Sequence, residues 1–234
     1  RTGGPRARGK VYFPIYSSLN LNIMAKFNSY LLGKVRKSVG NITTCIFNKE
    51  NIAKAKIFSR KDVKTPEILA QRAKMKAIVS IARKLLPVIR KGFVGVGRGT
   101  TSNAFTSLNM SRIEVDEKYS ATVDFERLLC ASGPLYTPKV SVSYDESTKM
   151  YSFTQEMQDD EGDGFSCASD KVYAALYETA LSRTKLVTLR ERGENGNTSV
   201  SLPEDWDPAK VHAYCFATSK NGRMASDSRH LAIS

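Results

Sequence analysis

From about residue 113 to the end, the chain is a succession of short runs rich in Val, Tyr, Phe and Thr: ATVDFERLLC, KVSVSYD, KMYSFTQEM, KVYAALYET, KLVTLRER, NTSVSLP, KVHAYCFATS and MASDSRHLAI. Turn-forming residues divide them at Gly133-Pro134, Asp145 to Thr148, Gly162 to Gly164, Gly193 to Gly196 and Asn221-Gly222. β-Branched and aromatic side chains fit a pleated surface, while Gly, Asn and Asp supply the reversals between neighbouring strands. Runs this short cannot bury themselves singly. Seven or eight in sequence therefore predict an antiparallel, immunoglobulin-like β-sandwich. Val140, Val142 and Tyr144 keep the two-residue alternation of a strand with one covered face. Trp206, in LPEDWDP, is expected to cover the sandwich from a loop.

The front of the chain follows a different period. In TPEILAQRAKMKAIVSIARKLLPVIRKGF, Thr65 to Phe93, a capping hydroxyl at Thr65, Pro66 in the first turn and Glu67 at the positive end of the dipole specify a helix start. Ile68, Met75, Val79, Ala82 and Leu86 recur at three- and four-residue steps and are expected to form the buried face, widened by Ile78, Leu85 and Ile89. Arg72, Lys76, Arg83 and Arg90 form a basic stripe beside it. Pro87 should kink or restart the helix, and Gly92 is expected to end it in a left-handed conformation. Upstream, Ser38 to Phe58 reads as a β-hairpin around Asn48 to Asn51, with Gly33 and Gly40 permitting bends at its start. After Gly92, VGVGRGTT reads as a hinge, followed by a shorter helix carrying Ala104, Phe105, Leu108 and Met110. Gly95, Gly97 and Gly99 do not make a phosphate cradle, because they follow a helix rather than a strand and no Gly-Lys-Ser/Thr completes them.

The expected class is α+β. Residues 1–23 read as a leader or upstream translated segment, since Met24 looks like a natural start; residues 24–112 form a basic hairpin-and-helix region, and 113–234 the β-sandwich domain. With 234 residues and 41% hydrophobic content, a substantial core is affordable.

Charge separates the same two regions. Residues 1–103 hold 22 Lys and Arg against Glu50, Asp62 and Glu67, a net of +19, whereas residues 104–234 hold 14 basic and 20 acidic residues, a net of −6. Without the first 23 residues the front still carries +15. Such a surface draws in nucleic acid or another polyanion, and it can equally pair with the acidic half of a neighbour. No apolar stretch approaches the length of a membrane span, and a cytoplasmic location is the default expectation.

Residues that carry chemistry are sparse. Cys45, Cys130, Cys167 and Cys215 lack the paired spacing of zinc or redox sites and are expected as free thiols. His212 falls inside a strand pattern beside Tyr214, and neither it nor His230 belongs to a recognisable triad. Asp159, Asp160, Glu161 and Asp163 gather carboxylates in QDDEGDGF but lack the late bidentate Glu of an EF-hand, so a solvated strand connection is preferred over calcium. No catalytic residue, metal or cofactor is expected.

Three passages resemble a family of uncharacterised Bacteroidota proteins, domain of unknown function 6266. They are Gly33-Lys34-Val35 with Gly40 and the hairpin; Thr65-Pro66 with Gln71-Arg72-Ala73 and Gly92-Phe93; and Ser226-Asp227-Ser228 after a strand containing Tyr214 and Phe216. Met75 stands where the family often has an aromatic, and Arg229-His230 where it more often resembles Gln-Tyr. The resemblance implies a shared two-part fold spanning nearly everything after Met24. It assigns no activity, so no functional residues carry over.

The expected function is a non-enzymatic binding protein. Arg72, Lys76, Arg83 and Arg90 would contact a polyanion such as nucleic acid along its backbone, and the sandwich would mediate protein contacts. The alternative is a structural or assembly component, of a surface or phage-like particle, without nucleic-acid binding. A carbohydrate-binding sandwich has only Trp206 and fold analogy in its favour.

Overall fold

A computed structural model describes residues 24–31, 33–59, 62–97, 99–158 and 164–234. The chain divides into two compact units, Arg1–Asp62 and Val63–Ser234. Within the second unit, residues 112 and 113 mark the change from helices to strands.

In the first unit, β1 (Met24–Phe27), β2 (Lys37–Val39), β3 (Ile42–Phe47) and β4 (Glu50–Ala55) form one antiparallel sheet in the order β1-β4-β3-β2. The predicted hairpin is β3–β4. Asn48 and Lys49, with φ of 50° and 68°, make its two-residue turn between the paired Phe47 and Glu50, in the twist that such hairpins favour. Asn51 ties the preceding segment to β4: its Oδ1 accepts from Val35 N at 3.2 Å and its Nδ2 donates to Gly33 O at 2.8 Å.

The second unit begins with α1 (Pro66–Lys84), α2 (Leu86–Gly92) and α3 (Thr101–Asn109), followed by the small ribbon β5 (Ile113–Val115) and β6 (Ala121–Val123). Seven further strands follow: β7 (Val140–Asp145), β8 (Met150–Gln155), β9 (Lys171–Glu178), β10 (Arg183–Glu191), β11 (Gly196–Ser201), β12 (Val211–Thr218) and β13 (Arg229–Leu231). They form two antiparallel sheets, ordered β10-β9-β12-β13 and β11-β8-β7.

The four-stranded sheet is covered on both faces. Tyr173, Ala175, Tyr177, Tyr214 and Phe216 pack with Ile78, Leu85, Ile89, Phe93 and Phe105 of the helical layer. The alternate residues Val172, Ala174, Leu176, Ala213, Cys215 and Ala217 pack with Val140, Val142, Tyr151 and Phe153 of the three-stranded sheet. Double coverage explains why VYAALYE and HAYCFAT read as nearly continuous apolar runs. The fold is α+β with a β-rich body, layered helices on sheet on sheet. Trp206 packs into the inter-sheet core, as its loop position led one to expect.

Three local expectations are corrected. First, Thr65 does not cap a backbone N–H; its hydroxyl instead serves the Glu67 carboxylate, which its own backbone N–H and Thr65 together hold below the usual carboxylate range. Second, the buried face of α1 centres on Ile78, Ile81 and Ala82, while Ile68 and Met75 are exposed. Apolar residues ring this helix, so periodicity alone left its phase open. Third, Gly92 ends α2 without left-handed geometry. A Cβ there would lie 2.6 Å from both Ala131 Cβ and Cys130 O, so glycine is required by close approach. The Ser226-Asp227-Ser228 tail closes the same region: Cys130 N donates to Ser228 Oγ at 2.8 Å, Gly133 N to Asp227 Oδ1 at 3.1 Å, and Ala217 N to Ser226 Oγ at 2.8 Å.

Pro87 restarts the helix as expected. Lacking an N–H, it falls in the first turn of α2, where that loss is harmless, and Leu85 forms the joint between α1 and α2.

Candidate functional site: two basic surfaces

The joint at Leu85 splits the predicted stripe. Arg72, Lys76 and Arg83 stay together on the outer flank of α1, where with Met75, Val79 and Ser80 they line a shallow depression of about 510 Å³. These six positions are spaced three and four apart and share one helix face. Lys76 and Arg83 are exposed, and among the described residues neither has a carboxylate within ion-pair distance.

Arg90 does not continue this row. It lines a separate cavity of about 260 Å³ with Lys91, Lys171 and Lys220, together with Val94, Tyr173 and the turn Thr218 to Gly222. Four cations and no carboxylate line it. Arg90 and Lys91 stand in the last turn of α2, whose negative dipole end favours positive side chains. Lys91 is anchored: its Nζ lies 4.7 Å over the Tyr173 ring and 3.4 Å from the Tyr173 hydroxyl. Lys171 opens β9 and projects from the strand before Tyr173.

Ser219 organises the far wall. Its Oγ accepts from Arg223 N at 3.1 Å and Met224 N at 3.0 Å, and donates to Asn221 Oδ1 at 2.8 Å. Asn221 Oδ1 also accepts from Arg223 N at 3.0 Å. With its oxygen engaged, Asn221 keeps its amide N–H groups for another acceptor. Gly222, at φ 66°, provides the left-handed step of this turn. Sequence reasoning found Arg90 but missed Lys91, Lys171 and Lys220. The only signal was Asn221-Gly222, read as a turn without an indication of what it would face.

The histidines meet on the helix-facing side of the central sheet. His212 Nδ1 and His230 Nε2 are 3.1 Å apart, Phe125 stacks on His212 at 4.9 Å, and Tyr214 lies edge-on to His230. Burial holds both imidazoles below their ordinary pKa; His230 adds to the effect on His212, while Glu126 opposes it at both and Asp124 at His230. Cys130 and Cys215 are buried thiols; burial pushes Cys215 up to about 12 and Cys130 higher still. Cys130 packs in the helix-facing core and Cys215 in the inter-sheet core.

Arg192 was not anticipated. Fully buried, it donates to Asp170 at 3.3 Å, Gln158 at 3.3 Å and the Tyr136 carbonyl at 2.7 Å. It is a structural clasp linking the end of β10 to two loops. Among the described residues no three His, Cys, Asp or Glu side chains gather as a metal site. The carboxylate run Asp159, Asp160, Glu161 and Asp163 lies outside those residues. No described helix is long and apolar enough to cross a membrane.

Comparison with known proteins returns one family. The sequence profile of a family of unknown function, DUF6266, matches residues 33–232. No curated protein and no solved structure matches the chain.

Proposed function

We propose that the chain, which belongs to this family over residues 33–232, is a non-enzymatic binding protein for polyanions, nucleic acid foremost, a reading supported by its two basic surfaces. The observation that carries the reading is the cavity of Arg90, Lys91, Lys171 and Lys220, which has no acidic group in its lining. Lys76 and Arg83, with Arg72, offer a further row that follows a charged backbone without reading bases. The described residues that line that depression include no aromatic ring for base stacking, so the binding is sequence-tolerant.

The test is electrophoretic retardation of random-sequence DNA and RNA across salt concentrations. Retardation should weaken steeply with salt, with a log–log slope of about −0.7 per single-strand phosphate neutralised. Absence of retardation at low salt overturns the proposal.

The seven-strand body is read as immunoglobulin-like, with one departure from the constant-domain arrangement: its fourth strand, β10, pairs with the third, β9, instead of joining the other sheet. Its role is to mediate protein contacts. A second reading, a structural or assembly component, is favoured by the first unit, where Val39, Phe47, Ile57 and Phe58 are largely exposed. Light scattering across protein and salt concentrations tests it, and a monomer throughout counts against it.

A further inference from the structure

We infer that the Arg90–Lys91–Lys171–Lys220 cavity is a seat for a terminal phosphomonoester, and that internal phosphodiesters are bound elsewhere, along the α1 flank. This rests on the polyanion reading and assigns its two surfaces different tasks.

The two surfaces differ in shape. The α1 depression is lined by one helix and has Met75 and Val79 in its wall, so a backbone can run across it. The cavity is lined by three elements: the end of α2, the start of β9, and the turn after β12. A group entering it meets cations contributed from separate parts of the fold, an arrangement suited to the end of a molecule.

Charge favours the same assignment. A phosphodiester carries one negative charge, whereas a phosphomonoester carries about −1.5 to −2 at neutral pH and presents three strong acceptor oxygens. Four cations without a carboxylate are better matched by the second. Donor geometry is partly fixed in advance. Lys91 is held over Tyr173, and Asn221 has its oxygen tied inside the Ser219-centred turn, which leaves N–H donors for a phosphate oxygen. Preorganised donors lose less entropy on binding than free lysine side chains do.

Fluorescence anisotropy of the full chain tests the assignment, using a 3′-labelled single-stranded 15-mer with either a 5′-phosphate or a 5′-hydroxyl. The phosphorylated strand is expected to bind about tenfold tighter, the order of one additional charge beside partly exposed cations. The variant Lys171→Gln/Lys220→Gln changes two exposed side chains and should weaken binding of the phosphorylated strand more than that of the hydroxyl strand, bringing the two within about twofold of each other. Glucose 6-phosphate should compete for the phosphorylated strand if a monoester on a small molecule is also accepted; failure to compete while the 5′-phosphate preference stands restricts the seat to nucleic-acid ends. Equal binding of the two strands overturns the inference and leaves the polyanion reading standing. A preference that survives the double substitution removes it from this cavity, and binding of neither strand at low salt removes both proposals.

Discussion

The two units use antiparallel strands to different ends. In the second, β9 and β12 lie between helices and a second sheet, and almost every residue of both is buried. In the first, only Thr44, Asn51 and Ile52 are buried among the described residues, and Val39, Ile42 and Phe47 are half exposed or more. Strand pairing satisfies the backbone in both cases, but burial stabilises chiefly the second, at roughly 1.5–3 kcal/mol for each large apolar side chain covered. The second unit is therefore the stable body, and the first depends on few contacts of its own.

The largest effects should come from breaking the second unit's core. Phe216→Ala removes a fully buried ring stacked on Tyr173, and is expected to cost about 3–5 kcal/mol in denaturant unfolding. A cost below about 1 kcal/mol would mean that the helical layer is not tightly packed on the sheet. Arg192→Ala leaves Asp170 buried without its charge partner, with an expected loss of about 3–5 kcal/mol. Arg192→Met paired with Asp170→Leu should recover much of it, because the desolvation penalty then disappears together with the attraction.

A smaller effect tests the histidine pair. Both folded-state pKa values are depressed by burial, so their contribution is complete above the unfolded value near 6.5 and is lost as pH falls through the folded values. Urea midpoints should decline between pH 7.5 and 5, and His212→Phe should flatten that decline. The effect is a fraction of a kcal/mol, since both rings are partly solvated and Glu126 and Asp124 offset part of the shift. An unchanged pH profile in the variant would place the dependence elsewhere. Smallest of all, Phe47→Ser in the first unit should alter stability by no more than about 0.5 kcal/mol. A loss comparable to that of Phe216→Ala would show that its ring is buried in solution and erase the contrast between the units.

Local signals were legible in the sequence, and long-range ones were not. The turn-divided runs after residue 113 gave the strands of both sheets, the polar stretch Asn48 to Asn51 gave the hairpin, although Glu50 and Asn51 belong to β4 and only Asn48 and Lys49 make the turn, and Pro87 gave the helix joint. ATVDFERLLC proved mostly irregular, with only Ala121–Val123 paired, because its apolar residues serve the helical core. The phase of α1 was misread because Met75 and Ile68 satisfy the same periodicity as the residues that are buried. Gly92 ends α2 as expected but was given a left-handed conformation, because its real constraint, the backbone at Cys130, lies far along the chain. The candidate site failed to be legible for the same reason: Arg90, Lys171 and Lys220 become neighbours only after the central sheet forms.

Trp206 is the sole tryptophan of the chain, and it packs in the inter-sheet core with its indole N–H buried and without a hydrogen-bond partner among the described residues. Its emission will therefore originate in a dry, apolar environment, at the short-wavelength end of the indole range, and move to the red when the sheets part. It provides a built-in optical gauge of that one interface, blind to the first unit, with which separate melting of the two parts can be recognised without a label.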